Sequence, residues 1–174
     1  MDEIIYTIGH STHPTEAFIH ILDQFEVEQI VDVRTIARSR HNPQFNEEAL
    51  REALCQHGIA YLRLEGLGGL RRAAKTSINL AWKNASFRGF ADYMQTPEFF
   101  SAIDQLITLA RESRSAVMCA EAVPWRCHRS LIGDALLARN IRVEDIFDEN
   151  TSKPHLLTPW AKVDGTRITY PGLD

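Results

Sequence analysis

No apolar run in this 174-residue chain approaches the ~20 residues that a membrane helix needs, so a membrane-spanning protein is not expected. Cysteine is scarce. Cys55, Cys119 and Cys127 are odd in number and contain no C-x-x-C pair, which argues against a disulfide framework and against paired zinc ligands. A dinucleotide glycine fingerprint and a P-loop lysine are also missing, because Gly66-Leu67-Gly68-Gly69 lacks the strand-to-helix context that either needs. The start, Met1-Asp2-Glu3-Ile4, has no basic or long apolar stretch, so no secretory signal and a cytoplasmic location are expected. Lys and Arg are absent from residues 1–33, which hold seven acidic side chains, whereas residues 34–75 hold eight basic and four acidic ones. The net charge of −4 argues against coating of nucleic acid by bulk charge, and the middle of the chain carries a local positive bias.

What is present reads as alternating strands and helices. Ile4 to Ile8 is a β-rich run ended by Gly9, and His13-Pro14 opens an amphipathic helix with Phe18, Ile21, Leu22 and Phe25 on one face. Gln29 to Val33 is a second buried strand. Asn46 opens a helix stopped by Gly58, and Ile59 to Arg63 is a third strand. Residues 65–89, marked by glycines, read as a long loop or lid. Thr96-Pro97 starts a strong helix, Ala116 to Cys119 is a fourth strand, a helix runs from near Cys127 to Asn140, and Ile141 to Phe147 is a fifth strand. Asp164-Gly165 is a hairpin signal. The expected fold is one α/β domain over residues 1–174, with a mostly parallel sheet, helices on both faces and a small C-terminal hairpin.

Ligands of open α/β sheets bind outside the carboxyl ends of the strands, where loops converge and helix amides point. Each strand exit here carries polar side chains: His10 and Ser11, Asp32 and Arg34, Arg63 and Glu65, then Cys119 and Glu121 followed by Cys127, His128 and Arg129. Singly, each has a plain structural explanation. Ser11 or Thr12 suits a helix cap, Asp32 and Arg34 an ion pair, Arg38, Arg40, His41, Arg71, Arg72 and Lys75 a solvated loop, Cys119 a small strand residue and Cys127 a buried cap. Their joint placement is what points to a site. A thiol at a helix N-terminus beside arginine has its thiolate favoured, which makes Cys127 the candidate nucleophile, and Arg129 in a first helical turn calls for a nearby anion. The spacing does not fit a cysteine-dependent phosphatase, because Trp125 rather than arginine stands six positions after Cys119.

These residues resemble a known family, the bacterial and archaeal proteins grouped as domain of unknown function 488. The resemblance rests on Tyr6-Thr7-Ile8-Gly9-His10-Ser11, Asp32-Val33-Arg34, Leu64-Glu65-Gly66-Leu67-Gly68-Gly69, Cys119-Ala120-Glu121, Cys127-His128-Arg129 and Leu157-Thr158-Pro159-Trp160. It implies a compact α/β domain whose loops form one site, and it implies no reaction. The expectation is an enzyme, hydrolase-like or transferase-like, acting on an anionic, phosphate-bearing substrate such as a nucleotide or a nucleic-acid end. Ser11, Arg34, Arg129 and Cys119 would bind it; Glu121, Cys127, His128, His10 and Asp32 would carry the chemistry. No cofactor is implied. The alternatives are a non-catalytic nucleotide or nucleic-acid binding module, and a metal site built from His10, Glu121, Cys119 or His128.

Overall fold

The computed structural model describes residues 3–172, so the first and last two residues of the expected 1–174 domain lie outside the described part. Five parallel strands form the sheet: β1 (Ile4–Gly9), β2 (Gln29–Asp32), β3 (Ala60–Arg63), β4 (Ser115–Cys119) and β5 (Arg142–Asp148). A sixth, β6 (Thr151–Pro154), runs antiparallel on the edge of β5, giving the order β3-β2-β4-β1-β5-β6. The helices are α1 (Thr15–Gln24), α2 (Glu47–Gln56), α3 (Ala85–Tyr93), α4 (Pro97–Glu112) and α5 (Arg129–Leu137), and β7 (Lys162–Asp164) pairs with β8 (Arg167–Thr169) as a small hairpin. The chain is thus one α/β domain of the expected class.

Alternation along the strands divides the core into two layers. Tyr6 and Ile8 of β1, with Ile30, Ala116 and Met118, pack against Phe18 and Leu22 of α1 and Leu50 and Leu54 of α2. Ile5, Val31, Val117 and Val143 face the other way, onto Phe90, Phe99, Ile103, Leu131 and Leu136 of α3, α4 and α5. Burying the Phe18 or Leu106 side chain completely is worth about 1.5–3 kcal/mol each. The layers have a consequence for function. From two neighbouring strands, β1 and β4, the chain departs to opposite faces, through α1 and α5, which leaves a crevice between their carboxyl ends.

Beyond that pair the ladder continues into the loops, with His10 N donating to Cys119 O at 2.9 Å and Ser11 N to Ala120 O at 3.0 Å. Only glycine fits at position 9, since a Cβ there would stand 1.5 Å from the Glu121 carbonyl oxygen.

Three expectations are corrected. The 65–89 stretch is not all loop: a 3-10 turn covers Glu65–Leu67 and α3 begins at Ala85, capped by the Asn84 side chain, which accepts from Ser86 N at 2.8 Å. Gly89, which reads as a loop residue, lies inside α3, and glycine stands there because a Cβ would meet the Arg71 carbonyl oxygen at 2.1 Å. The last helix starts at Arg129, and Cys127 is extended (φ −140°, ψ 148°). Finally, no side chain caps α1, and Ser11 instead takes a left-handed conformation (φ 49°).

Candidate functional site

A cavity of about 340 Å3 opens at the carboxyl ends of β1, β2 and β4. His10, Arg34, Cys119, Glu121, Cys127 and His128 line it, joined by Arg38 and Arg126. Three residues singled out from the sequence are elsewhere. Ser11 stands behind His10, and Asp32 and Arg129 are fully buried beneath the lining. A larger cleft, about 460 Å3, lies at the opposite ends of the strands between Glu3, Glu28, Arg111 and Arg114. There Arg111 is paired with the Glu3 carboxylate and Glu28 accepts from the Arg114 amide, and no cysteine or histidine lines the cleft. Chemistry rather than volume therefore marks the site.

One wall is built around Asp32. Its Oδ1 accepts from Arg34 N and Nε, both at 3.0 Å, its Oδ2 from Arg34 Nη2 at 2.7 Å, and the Tyr61 hydroxyl donates to it as well. Side chains two apart on a strand share a face, so the pair was legible; Tyr61 on the neighbouring strand was missed. With its oxygens occupied, Asp32 is a holder of Arg34 rather than a free acid or base. Arg34 Nη1 remains, 3.3 Å from His10 Nε2. His10 Nδ1 donates to the Ser11 carbonyl at 2.8 Å, which leaves Nε2 as the acceptor, and the ring stacks on Phe45 at 4.2 Å. Burial pushes this imidazole down to about 4, aided by the Arg34 charge and opposed by the Ser11 carbonyl, so His10 is neutral at pH 7.

The floor is built around Arg129, whose side chain has no solvent exposure. Nε reaches the Cys119 sulfur at 3.0 Å, Nη1 donates to Thr7 Oγ1 at 2.7 Å, and Nη2 donates to the Glu121 and Ala122 carbonyls at 3.2 Å. Among the described residues no carboxylate pairs with it directly; the nearest is Asp145, reached through the Thr7 hydroxyl. A buried guanidinium needs a counter-charge, and the sulfur in contact with it is the one at hand. Burial raises the Cys119 thiol, but the neighbouring Cys127 thiol and Arg129 outweigh it, and the net direction is down. Cys127, whose thiol meets the Cys119 sulfur and is itself buried, moves strongly up. The Arg129 side chain turns back to β4, so it is Cys119, not Cys127 as the sequence reading has it, that stands against the guanidinium.

His128 closes the far side. Its Nε2 donates to the Leu67 and Val33 carbonyls (2.9 and 3.1 Å), which turns the Nδ1 lone pair to the Cys127 sulfur at 3.5 Å. Burial lowers this imidazole to about 4. The Gly68-Gly69 pair earns its place here, since a Cβ on Gly69 would stand 2.5 Å from His128 Nδ1. Glu121 projects at the exposed mouth while its carbonyl is held by Arg129. No three His, Cys, Asp or Glu side chains among the described residues are grouped to hold a metal ion.

A family model described as Domain of unknown function DUF488 matches residues 14–136. The chain belongs to this family. The DUF488 match contains Asp32, Arg34, Cys119, Glu121, Cys127, His128 and Arg129, while His10, Ser11 and Thr7 precede it and Asp145 follows it. Comparisons with curated proteins and with solved structures gave no match. Among the described residues no helix is long and apolar enough to cross a membrane.

Proposed function

We propose that this DUF488 protein is a thiol-dependent enzyme acting on a small anionic, phosphate-bearing substrate, with Cys119 as the nucleophile. The observation that carries the reading is the 3.0 Å contact between Arg129 Nε and the Cys119 sulfur on the floor of a cavity edged by Arg34, Arg38 and Arg126. A thiolate held by a buried guanidinium is ready to attack without a separate base, and the arginines above it suit the negative charge of a phosphate. His10 and His128, neutral at pH 7, order the walls, His10 Nε2 toward Arg34 Nη1 and His128 Nδ1 toward the Cys127 sulfur, and Glu121 at the mouth is the acid in reach of a leaving group that protrudes toward solvent.

The test is the ultraviolet thiolate absorbance of the full chain, followed with pH and compared with Cys119→Ser, together with mapping of iodoacetamide labelling. A thiolate signal near neutral pH that vanishes in Cys119→Ser, and labelling of Cys119 slowed by inorganic phosphate or a mononucleotide, are the expected results. Arg126→Ala, on the exposed rim, is expected to weaken that protection while leaving stability within about 0.5 kcal/mol. Absence of any thiolate at pH 7 would remove the nucleophile, and protection without turnover of any phosphate ester would leave a binding module.

A further inference from the structure

Two of the three cysteines meet at this floor, and a single nucleophile explains only one of them. Cys119 and Cys127 are separated by seven intervening residues that loop out through the 3-10 turn Pro124–Arg126 and return, so that both sulfurs line the same cavity. Both are bonded to one residue, Cys119 to Arg129 Nε at 3.0 Å and Cys127 to Arg129 N at 3.4 Å. The third cysteine, Cys55, is exposed on α2, in the opposite helical layer.

We propose that Cys119 and Cys127 are a redox modification site, closing to a reversible intramolecular disulfide when a hydroperoxide enters the cavity. The Cys119 thiolate attacks the terminal peroxide oxygen; the O–O bond breaks, the departing alkoxide takes a proton from water, and Cys119 is left as a sulfenic acid. The Cys127 sulfur then attacks the Cys119 sulfur while its thiol proton passes, by way of Nδ1 of His128 3.5 Å away, to the hydroxide that leaves as the S–O bond breaks, giving water. Two thiols and one hydroperoxide thus yield one disulfide, one alcohol and one water, a two-electron oxidation of the pair that an external thiol reverses. His128, fixed through Nε2 by two carbonyls, holds Nδ1 in place to relay that proton. As control of the proposed activity this rests on Cys119 being its nucleophile, because the disulfide removes it; as chemistry of the pair it does not.

The experiment treats the full chain with one equivalent of hydrogen peroxide, quenches with N-ethylmaleimide and maps peptides without reduction, in native buffer and in urea. The expected product is a Cys119–Cys127 linkage that dithiothreitol reverses, formed at least about tenfold faster in the native chain than in urea, with Cys55 still alkylated. Cys127→Ser is expected to leave Cys119 as a sulfenic acid that dimedone traps. Linkage no faster in the native chain than in urea, or oxidation confined to Cys55, overturns the proposal. A linkage that forms in a protein with no phosphate-ester turnover, or that leaves turnover untouched, defeats the proposed function alone, and turnover in a protein whose two thiols never link defeats this inference alone.

Discussion

The molecule holds its buried histidines in two opposite ways, on either side of β1. At the cavity, His10 and His128 face carbonyl oxygens and guanidinium groups, and burial drives both down to about 4. On the other side, His155 bridges two carboxylates, Nδ1 to Asp145 at 2.9 Å and Nε2 to Asp134 at 3.0 Å. Burial lowers this imidazole too, but the two carboxylates outweigh it and raise it to about 9. Depth of burial therefore does not decide the charge; the charge of the partner does. The His155 cluster is structural: Tyr170 donates to Asp134 Oδ2 at 2.8 Å and Thr158 N to Asp134 Oδ1 at 3.1 Å, so β5, α5 and the C-terminal segment are tied through it. The cavity side keeps its free ring nitrogens directed at an arginine and a thiol, and is the region that the proposed function uses.

The largest test of this contrast is His155→Ala. Two buried carboxylates would be left without their cation, and stability should fall by roughly 3–5 kcal/mol in urea unfolding. His10→Ala should cost clearly less, since its loss leaves no charge unpaired that Asp32 does not already hold; equal losses would erase the distinction between the regions.

Next in size is the pH dependence. The raised His155 contributes stability that is fully present below the unfolded value of about 6.5 and is lost as pH rises through about 9, an effect of about 3 kcal/mol. His10 and His128 act in the other direction. Between 6.5 and about 4 the unfolded chain binds their protons and the folded chain does not, so stability falls as pH drops through that window. Urea midpoints between pH 4 and 10 should therefore peak near 6.5, and the alkaline fall should flatten in His155→Ala. A wild-type curve that stays level up to pH 10 would contradict the charged bridge.

The smallest test compares two glycines. A Cβ at Gly69 would stand 2.5 Å from His128 Nδ1, and one at Gly133 would stand 2.7 Å from His155 Nε2. Alanine at either should cost about 1–3 kcal/mol. Gly133→Ala is expected to cost more, because two carboxylates prevent His155 from moving aside, whereas His128 is held by carbonyls alone. Thermal melts of both variants would rank them, and the reverse order would mean that the cavity wall is the stiffer of the two.

Much of the fold is legible in the sequence for simple reasons. β1 and β2 hold β-branched pairs, β3, β4 and β5 are placed by the turn and helix signals around them, and Asp164-Gly165 between Val163 and Arg167 marks the hairpin, with Gly165 at φ 62°. The strand β6, Thr-Ser-Lys-Pro, escapes because an exposed edge strand has no buried face to set an alternating pattern. Gly89 hides α3, since a glycine demanded by tight packing looks like one demanded by a turn. Within the site, strand exits place His10, Arg34, Cys119, Glu121, Cys127 and His128 together, as the order of elements implies. That Arg129 meets Cys119 is not legible, because it depends on where its long side chain goes after leaving α5. Nor is the His155 bridge, whose carboxylates come from α5 and β5 and converge only in the folded chain.

The extension of the ladder past β1 and β4 has a consequence for traffic into the cavity. His10 and Ser11 are pinned to Cys119 and Ala120, and Gly9 lies against the Glu121 carbonyl, so the rear of the cavity moves as a single block and offers no doorway. Passage of a molecule in or out falls to the front, where Leu70, 64% exposed, is attached by one bond from its amide to Thr35 Oγ1 at 2.9 Å. The difference is one that hydrogen exchange reads directly: the Leu70 amide, held by a threonine hydroxyl, should exchange well before those of His10 and Ser11, which continue the sheet.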